Sequence, residues 1–193
     1  MTGQIDDDVL NRGEVYSLVA SDGEPLFEPE AHGFRPVSSS TACWRGYVCH
    51  YAIVKDAFVL DRLEINHADG TEDAPVPAIP PLLNGRRASK PRRKYAFFEH
   101  EYKRLGMGIS FTGRLLLGAG FIEDLYVHAG FQSAWKYRRI REVAIDEGRI
   151  TSVDARTKEM SMVRGHILGR RQLEQDAVIL KWVERYFSVD API

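Results

Sequence analysis

The chain has 193 residues, 44% of them apolar and 27% charged, with nine Phe, eight Tyr and three Trp. That composition excludes a disordered tail or a coiled coil, and a chain of this length buries roughly 70% of its unfolded surface in one core. The net charge of −1 hides a segregation: residues 1–85 hold 5 Lys/Arg against 14 Asp/Glu, and residues 86–193 hold 21 against 13. Whatever part of that split stays unpaired on the surface can steer a charged partner.

The first residues, MTGQIDDDVL, are acidic where a secretory leader is basic and then apolar. No run approaches the ~20 apolar residues that span a bilayer. Gly108–Ile122 comes nearest, but it is short and holds Arg114 and four Gly. A cytoplasmic chain that meets no membrane is the expectation.

Glu14–Ala20 reads as a strand that stops at the turn Ser21-Asp22-Gly23. Residues 27–37 are interrupted by Pro29, Gly33 and Pro36 and read as loop or edge strand. Thr41–Val54 carries the strongest strand signal. Both of its faces are mostly apolar, so it is expected at the centre of the sheet, covered on two sides. Cys43 and Cys49 would then lie on one strand, roughly 20 Å apart at about 3.3 Å per residue and beyond disulfide reach. They read as buried small hydrophobes. A turn at Lys55-Asp56 leads into a return strand, Ala57–Ile65.

Residues 66–94 begin acidic and Pro-rich (HADGTEDAPVPAIPP), pass Asn84-Gly85 and end in RRASKPRRK, where six of nine residues are basic. This reads as an exposed loop inserted in a single domain over 1–193. Tyr95–Arg104 fits a short helix or strand. Ile109–Leu117 and Phe121–His128 read as two strands joined at Gly118-Ala119-Gly120, and Tyr137–Ile145 with Arg149–Val153 as a hairpin turning at Glu147-Gly148. Asp154 suits an N-cap for a helix over about 155–164, interrupted at Gly165. Arg171–Phe187 has an apolar stripe of Leu173, Ala177, Leu180 and Phe187, widened by Trp182 and Val183. Strands first and helices last predict an α+β fold, a mainly antiparallel β-sheet packed against a C-terminal helix.

The motifs of several chemistries are missing. There is no Cys-x-x-Cys pair or His-Glu-x-x-His, no phosphate loop ending in Lys-Ser/Thr, and no Gly-x-Ser-x-Gly elbow. No metal or cofactor is expected. Triads assemble from distant positions, so an enzyme stays open. Its candidates are Glu123, Asp124 and His128 in FIEDLYVHAGF, with His50 and the adjoining Cys49 thiol as a second source. On a strand Asp124 and His128 share a face about 13 Å apart, too far to pair directly. The plainer reading is a half-buried histidine bonded to backbone.

Partner-binding candidates come from two segments. Arg86, Arg87, Lys90, Arg92, Arg93 and Lys94 suggest contacts to phosphate or to an acidic protein, beside Tyr95, Phe97 and Phe98. A pI near 6.6 weighs against nucleic acid. Trp135 and Arg138, in FQSAWKYRR, are residue types enriched at interface hot spots. Trp135 either folds back onto the core or faces a partner.

Three motifs carry a resemblance: Trp44-Arg45-Gly46-Tyr47, Phe111-Thr112-Gly113 and Leu125-Tyr126-Val127-His128. Over residues 38–164 the chain resembles a group of uncharacterised bacterial proteins whose small cytosolic members look like immunity partners of toxins. The resemblance implies a protein partner, with a toxin as its sharpest version. It carries over no catalytic residue, since fold alone does not set function. The leading expectation is a non-enzymatic binding protein of immunity type. The rivals are a small hydrolase using a histidine and a carboxylate, and a nucleic-acid binder using the 86–94 loop.

Overall fold

The computed structural model describes residues 2–169 apart from Glu24, Ser39, 72–73 and 93–95. The helix expected over Arg171–Phe187 lies outside them. The described elements are β1 Asp8–Asn11, β2 Glu14–Gly23, β3 Tyr47–Val54, β4 Ala57–Ile65, β5 Ala68–Thr71, β6 Ala74–Pro77, β7 His100–Tyr102, β8 Met107–Gly108, β9 Gly113–Phe121, β10 Tyr137–Asp146, β11 Arg149–Ala155 and α1 Thr157–Gly169. The fold is α+β: a mainly antiparallel sheet with a helix packed on it. Among the described residues no helix is long and apolar enough to cross a membrane.

Nine strands form one sheet in the order β11-β10-β9-β2-β1-β3-β4-β7, with β8 beside β4. Among the described residues every strand pairing in it is antiparallel except β1 with β3. The sheet curls until β11 meets β4, where Arg149 faces Ala57. The Phe58 amide donates to the Gly148 carbonyl at 2.8 Å and the Ile150 amide to Asp56 at 2.7 Å, closing the ring.

Alternation along each strand decides what fills that ring. Val9, Tyr16, Cys49, Tyr51, Leu63, Ile65, Leu115, Leu117, Val143 and Ile145 belong to one buried cluster. Leu116 and Ile140, of opposite parity, form a second cluster with Met160 and Val163 of α1. The outer faces of β1, β3 and β4 carry Asp8, His50, Arg62 and Glu64 instead.

Several expected boundaries move. The central strand begins at Tyr47, and Cys43 sits in the preceding turn, its amide bonded to the Ser40 carbonyl. Both cysteines are buried and free. β9 runs straight through Gly118-Ala119-Gly120, because Gly118 clears space for an aromatic ring: a Cβ there would lie 2.7 Å from Tyr137. Phe121–His128 is not a strand. Beyond Phe121 the chain makes a 3-10 turn at Glu123–Leu125, and Tyr126 packs edge-on against Phe121 instead of joining the sheet. Asp154 belongs to β11, which leaves the helix to start at Thr157, where the hydroxyl accepts the Ile140 amide at 3.0 Å. That helix continues through Gly165, whose missing Cβ faces open space and breaks no packing.

The described part of the 66–94 segment holds regular pairing that its composition does not suggest. It opens with the β5–β6 hairpin, then turns at Leu83–Arg86. Ser89 and Glu101 exchange both backbone hydrogen bonds, and the Asn84 side chain donates to the Leu105 carbonyl at 2.8 Å.

Gly46 explains why the Trp-Arg-Gly-Tyr motif needs its glycine. The residue has φ of 75°, and a Cβ would lie 2.5 Å from the Val37 carbonyl oxygen. Gly46→Ala combines a left-handed backbone with a collision against main chain, and lowers unfolding free energy by roughly 2–3 kcal/mol in urea titration. A loss below the ordinary surface-substitution range would show that the turn tolerates a side chain.

Candidate functional site

The run Asp6-Asp7-Asp8 enters the sheet in extended form, so Asp7 faces one way and its neighbours the other. Asp7 is buried. It accepts Arg45 Nη1 at 3.0 Å, Arg45 Nη2 at 2.6 Å and the Cys49 amide at 2.6 Å. Asp6 and Asp8 turn outward and line a cavity of about 370 Å³ with Val48, His50, Arg62 and Glu64, roofed by Pro91, Ala96, Phe97 and Phe98.

Strand register builds this row. Asp8 lies opposite His50 in the parallel β1–β3 pair, and His50 opposite Arg62 across β3–β4. His50 Nδ1 sits 2.7 Å from Asp8 Oδ2, and Nε2 sits 3.5 Å from Glu64 Oε2. Burial alone would lower the imidazole pKa. The hydrogen bond to Asp8 and the nearby Glu64 carboxylate outweigh it, and the net direction is up. Arg62 reaches Glu64 at 3.5 Å and Glu101 at 3.4 Å, and Lys103 holds the other Glu101 oxygen at 2.8 Å. Asp6 accepts the Tyr137 hydroxyl on Oδ2 at 3.0 Å, while its buried Oδ1 has no hydrogen-bond partner among the described residues. Burial, only partly offset by Tyr137, pushes the Asp6 carboxyl up to about 6.

The cavity lining holds no Ser, Thr or Cys among the described residues. Cys49 faces the opposite side, into the core, where burial raises its thiol pKa well above the ordinary range, so it supplies no thiolate. His50 stands between two carboxylates, with no hydroxyl or thiol of the described lining beside it to activate. What the arrangement offers is an accepting, acidic floor under an aromatic roof. Among the described residues no group of three or more His, Cys, Asp or Glu is placed to hold a metal ion.

The catalytic candidates of the 121–131 stretch are not brought together. Glu123, Asp124 and His128 are all exposed, on the 3-10 turn and the loop after it, and His128 makes an edge contact with Tyr126 at 4.8 Å between centroids. The site residues that sequence reasoning missed are Asp6, Asp8, Arg62 and Glu64. The triple aspartate was their only visible signal, and its meaning depends on a parallel pairing that no local pattern announces.

Among the described residues, two ion pairs join an arginine of the basic half to an acid of the acidic half. Arg139 binds Glu14 through both guanidinium nitrogens, with Nη1 at 2.9 Å, and Arg149 binds Asp56 at 2.6 Å. By contrast Arg86, Arg87, Lys90, Arg92 and Arg138 form no ion pair among the described residues, and all five are exposed. Arg93 and Lys94 lie outside the described residues. Trp135 is half-buried against the α1 cluster, with its carbonyl accepting Arg164 Nε at 2.6 Å.

Together these features define an α+β sheet protein with a charged cavity on its outer face and an unpaired cationic segment at the cavity's edge. Comparison with protein-family models, curated proteins and solved structures finds no match to this chain.

The Asp6 carboxyl makes a pH prediction. Its folded value is raised above the unfolded 3.8, so its favourable contribution is complete below that value and is lost as pH rises through about 6. The difference in unfolding free energy between wild type and Asp6→Asn should therefore shift against the wild type between about pH 3.8 and about 6, and level off above that. Parallel stability profiles across that window would show that Asp6 does not titrate there.

Proposed function

We propose that the chain is a cytosolic, non-enzymatic binding protein that neutralises or scaffolds another protein, with an immunity-type inhibitor of a bacterial toxin as its most specific form. One observation carries this reading. The segment 76–92 presents Val76, Ile79 and Leu82 to solvent at 56%, 93% and 56% exposure, beside the unpaired Arg86, Arg87, Lys90 and Arg92. Apolar anchors among cations suit an acidic partner surface with apolar depressions: the anchors supply affinity and the charges supply encounter rate. Exposing Ile79 and Leu82 gains nothing for the isolated fold, whereas covering them on binding removes apolar area from water. The motifs shared with the immunity-like group agree with such a role.

The histidine–carboxylate alternative shifts from His128 to His50, where there is a cavity, but among the described residues its lining holds no Ser, Thr or Cys nucleophile. Phosphate recognition by the same loop is the other use of its cations.

The test is association with the product of the adjacent reading frame, followed by surface plasmon resonance in a salt series. Reversing Arg86, Arg87, Lys90 and Arg92 together to Glu should slow association at least ~10-fold at low salt and leave the thermal melt unchanged. Absence of any complex at low ionic strength would overturn the proposal. Tight oligonucleotide binding that weakens steeply with salt would reassign the segment to phosphate.

A further inference from the structure

The cavity over His50 is not needed for docking by the 76–92 segment, and its chemistry points to a different ligand. Three carboxylates, from Asp6, Asp8 and Glu64, meet one guanidinium and one imidazole in its lining. Both cations are already engaged: Arg62 between Glu64 and Glu101, His50 between Asp8 and Glu64. Asp8 is not fully engaged. Only its Oδ2 is bonded, to His50, its other oxygen has no partner among the described residues, and its side chain is 30% exposed. An anion entering here would meet three carboxylates against two cations, and both of those cations already face carboxylates. A protonated amine or guanidinium would meet an accepting carboxylate beside the aromatic side chains of Phe97 and Phe98, a combination of charge and aromatic lining suited to organic cations. The volume of about 370 Å³ suits a small molecule or one long side chain.

We propose that this cavity binds an organic cation bearing a primary ammonium or guanidinium group, with Asp8 as its principal acceptor, Glu64 as a secondary acceptor and Phe97 and Phe98 as its walls. This site stands independently of the protein-binding reading, because its floor lies on β1, β3 and β4 and not on the exposed cationic segment. The cation can arrive as a free metabolite or as an arginine side chain of a peptide.

The experiment titrates the whole chain with agmatine and, separately, with N-acetylarginine amide, following backbone amide chemical shifts. Succinate and 1,4-butanediol serve as controls of similar length. Saturable shifts centred on Asp8, His50 and Glu64 are expected with the cations, and neither control should reproduce them. Tighter binding of agmatine assigns the site to free amines, and tighter binding of the amide assigns it to a peptide-borne arginine; each supports the cation site.

Asp8→Asn should weaken binding by at least ~10-fold, the effect of removing the charge from a charge-assisted contact. Ala96→Leu fills the cavity from an exposed wall position without touching the polar row, and should weaken binding even if Asp8→Asn fails to fold. The fourfold Glu variant of the cationic segment should still bind the cation, which separates failure of one proposal from failure of the other. No saturable shift with either cation up to about 50 mM would overturn the inference, since that concentration exceeds even the weakest specific affinities. Equal binding of succinate, or undiminished binding by a folded Asp8→Asn or Ala96→Leu protein, would overturn it as well.

Discussion

The buried pair between Asp7 and Arg45 is the constraint on which the rest of the site depends. β1 is only four residues long, yet it is inserted between β2 and β3 and makes the parallel pairing of the sheet. Such a strand has little area of its own to bury. Asp7 ties it in place by accepting two guanidinium nitrogens and the Cys49 amide at once. Arg45 in turn donates from Nε to the Tyr47 carbonyl at 2.9 Å and lies 5.0 Å from the Tyr47 ring centre. Burial would lower the Arg45 pKa, but the charge of Asp7 outweighs it and keeps the guanidinium protonated. Leaving either partner alone in that environment costs several kcal/mol, so the pair enforces register more than it adds stability. The register is what puts Asp8 beside His50.

Charge pairing across the closing sheet has a second consequence. Arg139 with Glu14 and Arg149 with Asp56 draw the basic half of the sequence onto the acidic half. These exposed pairs contribute little individually, about 1 kcal/mol or less. Each satisfies one acid of the first half with one arginine of the second. The cationic segment at 86–92 and the acidic floor of the cavity remain distinct beside them, and they attract opposite things.

Sequence reading succeeded where local chemistry dictates structure. The β3–β4 and β10–β11 hairpins are visible because alternating apolar residues flank two-residue turns, Lys55-Asp56 and Glu147-Gly148, whose Lys55, Glu147 and Gly148 take positive φ. It failed where a distant partner decides. Gly118 looks like a turn until Tyr137 is seen lying against it, and Phe121–His128 looks like a strand although its aromatic residues pack within a loop. His50 was identifiable as a titratable group on a central strand. Its neighbours were not, because Asp8 is 42 residues away and reaches it only through the parallel pairing. The cavity roof was hidden for a similar reason. Its first residues read as the end of an exposed loop, but the Asn66 side chain donates to the Phe97 carbonyl at 3.2 Å and accepts the Glu99 amide at 2.8 Å, drawing the segment down over the sheet.

That last pair of hydrogen bonds ties the cavity roof to the sheet. The stretch that roofs the cavity continues directly from the cationic segment, and Asn66 at the end of β4 anchors it to the strand that supplies Arg62 and Glu64. A partner gripping Lys90 and Arg92 is not required for a cation to bind below, but any displacement of Pro91 or Phe98 changes the cavity's shape. Since Phe98 packs with Cys43 and Val48 in a small cluster of its own, among the described residues the roof rests on a smaller apolar cluster than the closed ring of the sheet. It is therefore the element that can yield first under load, while the Asp7–Arg45 anchor keeps the floor fixed.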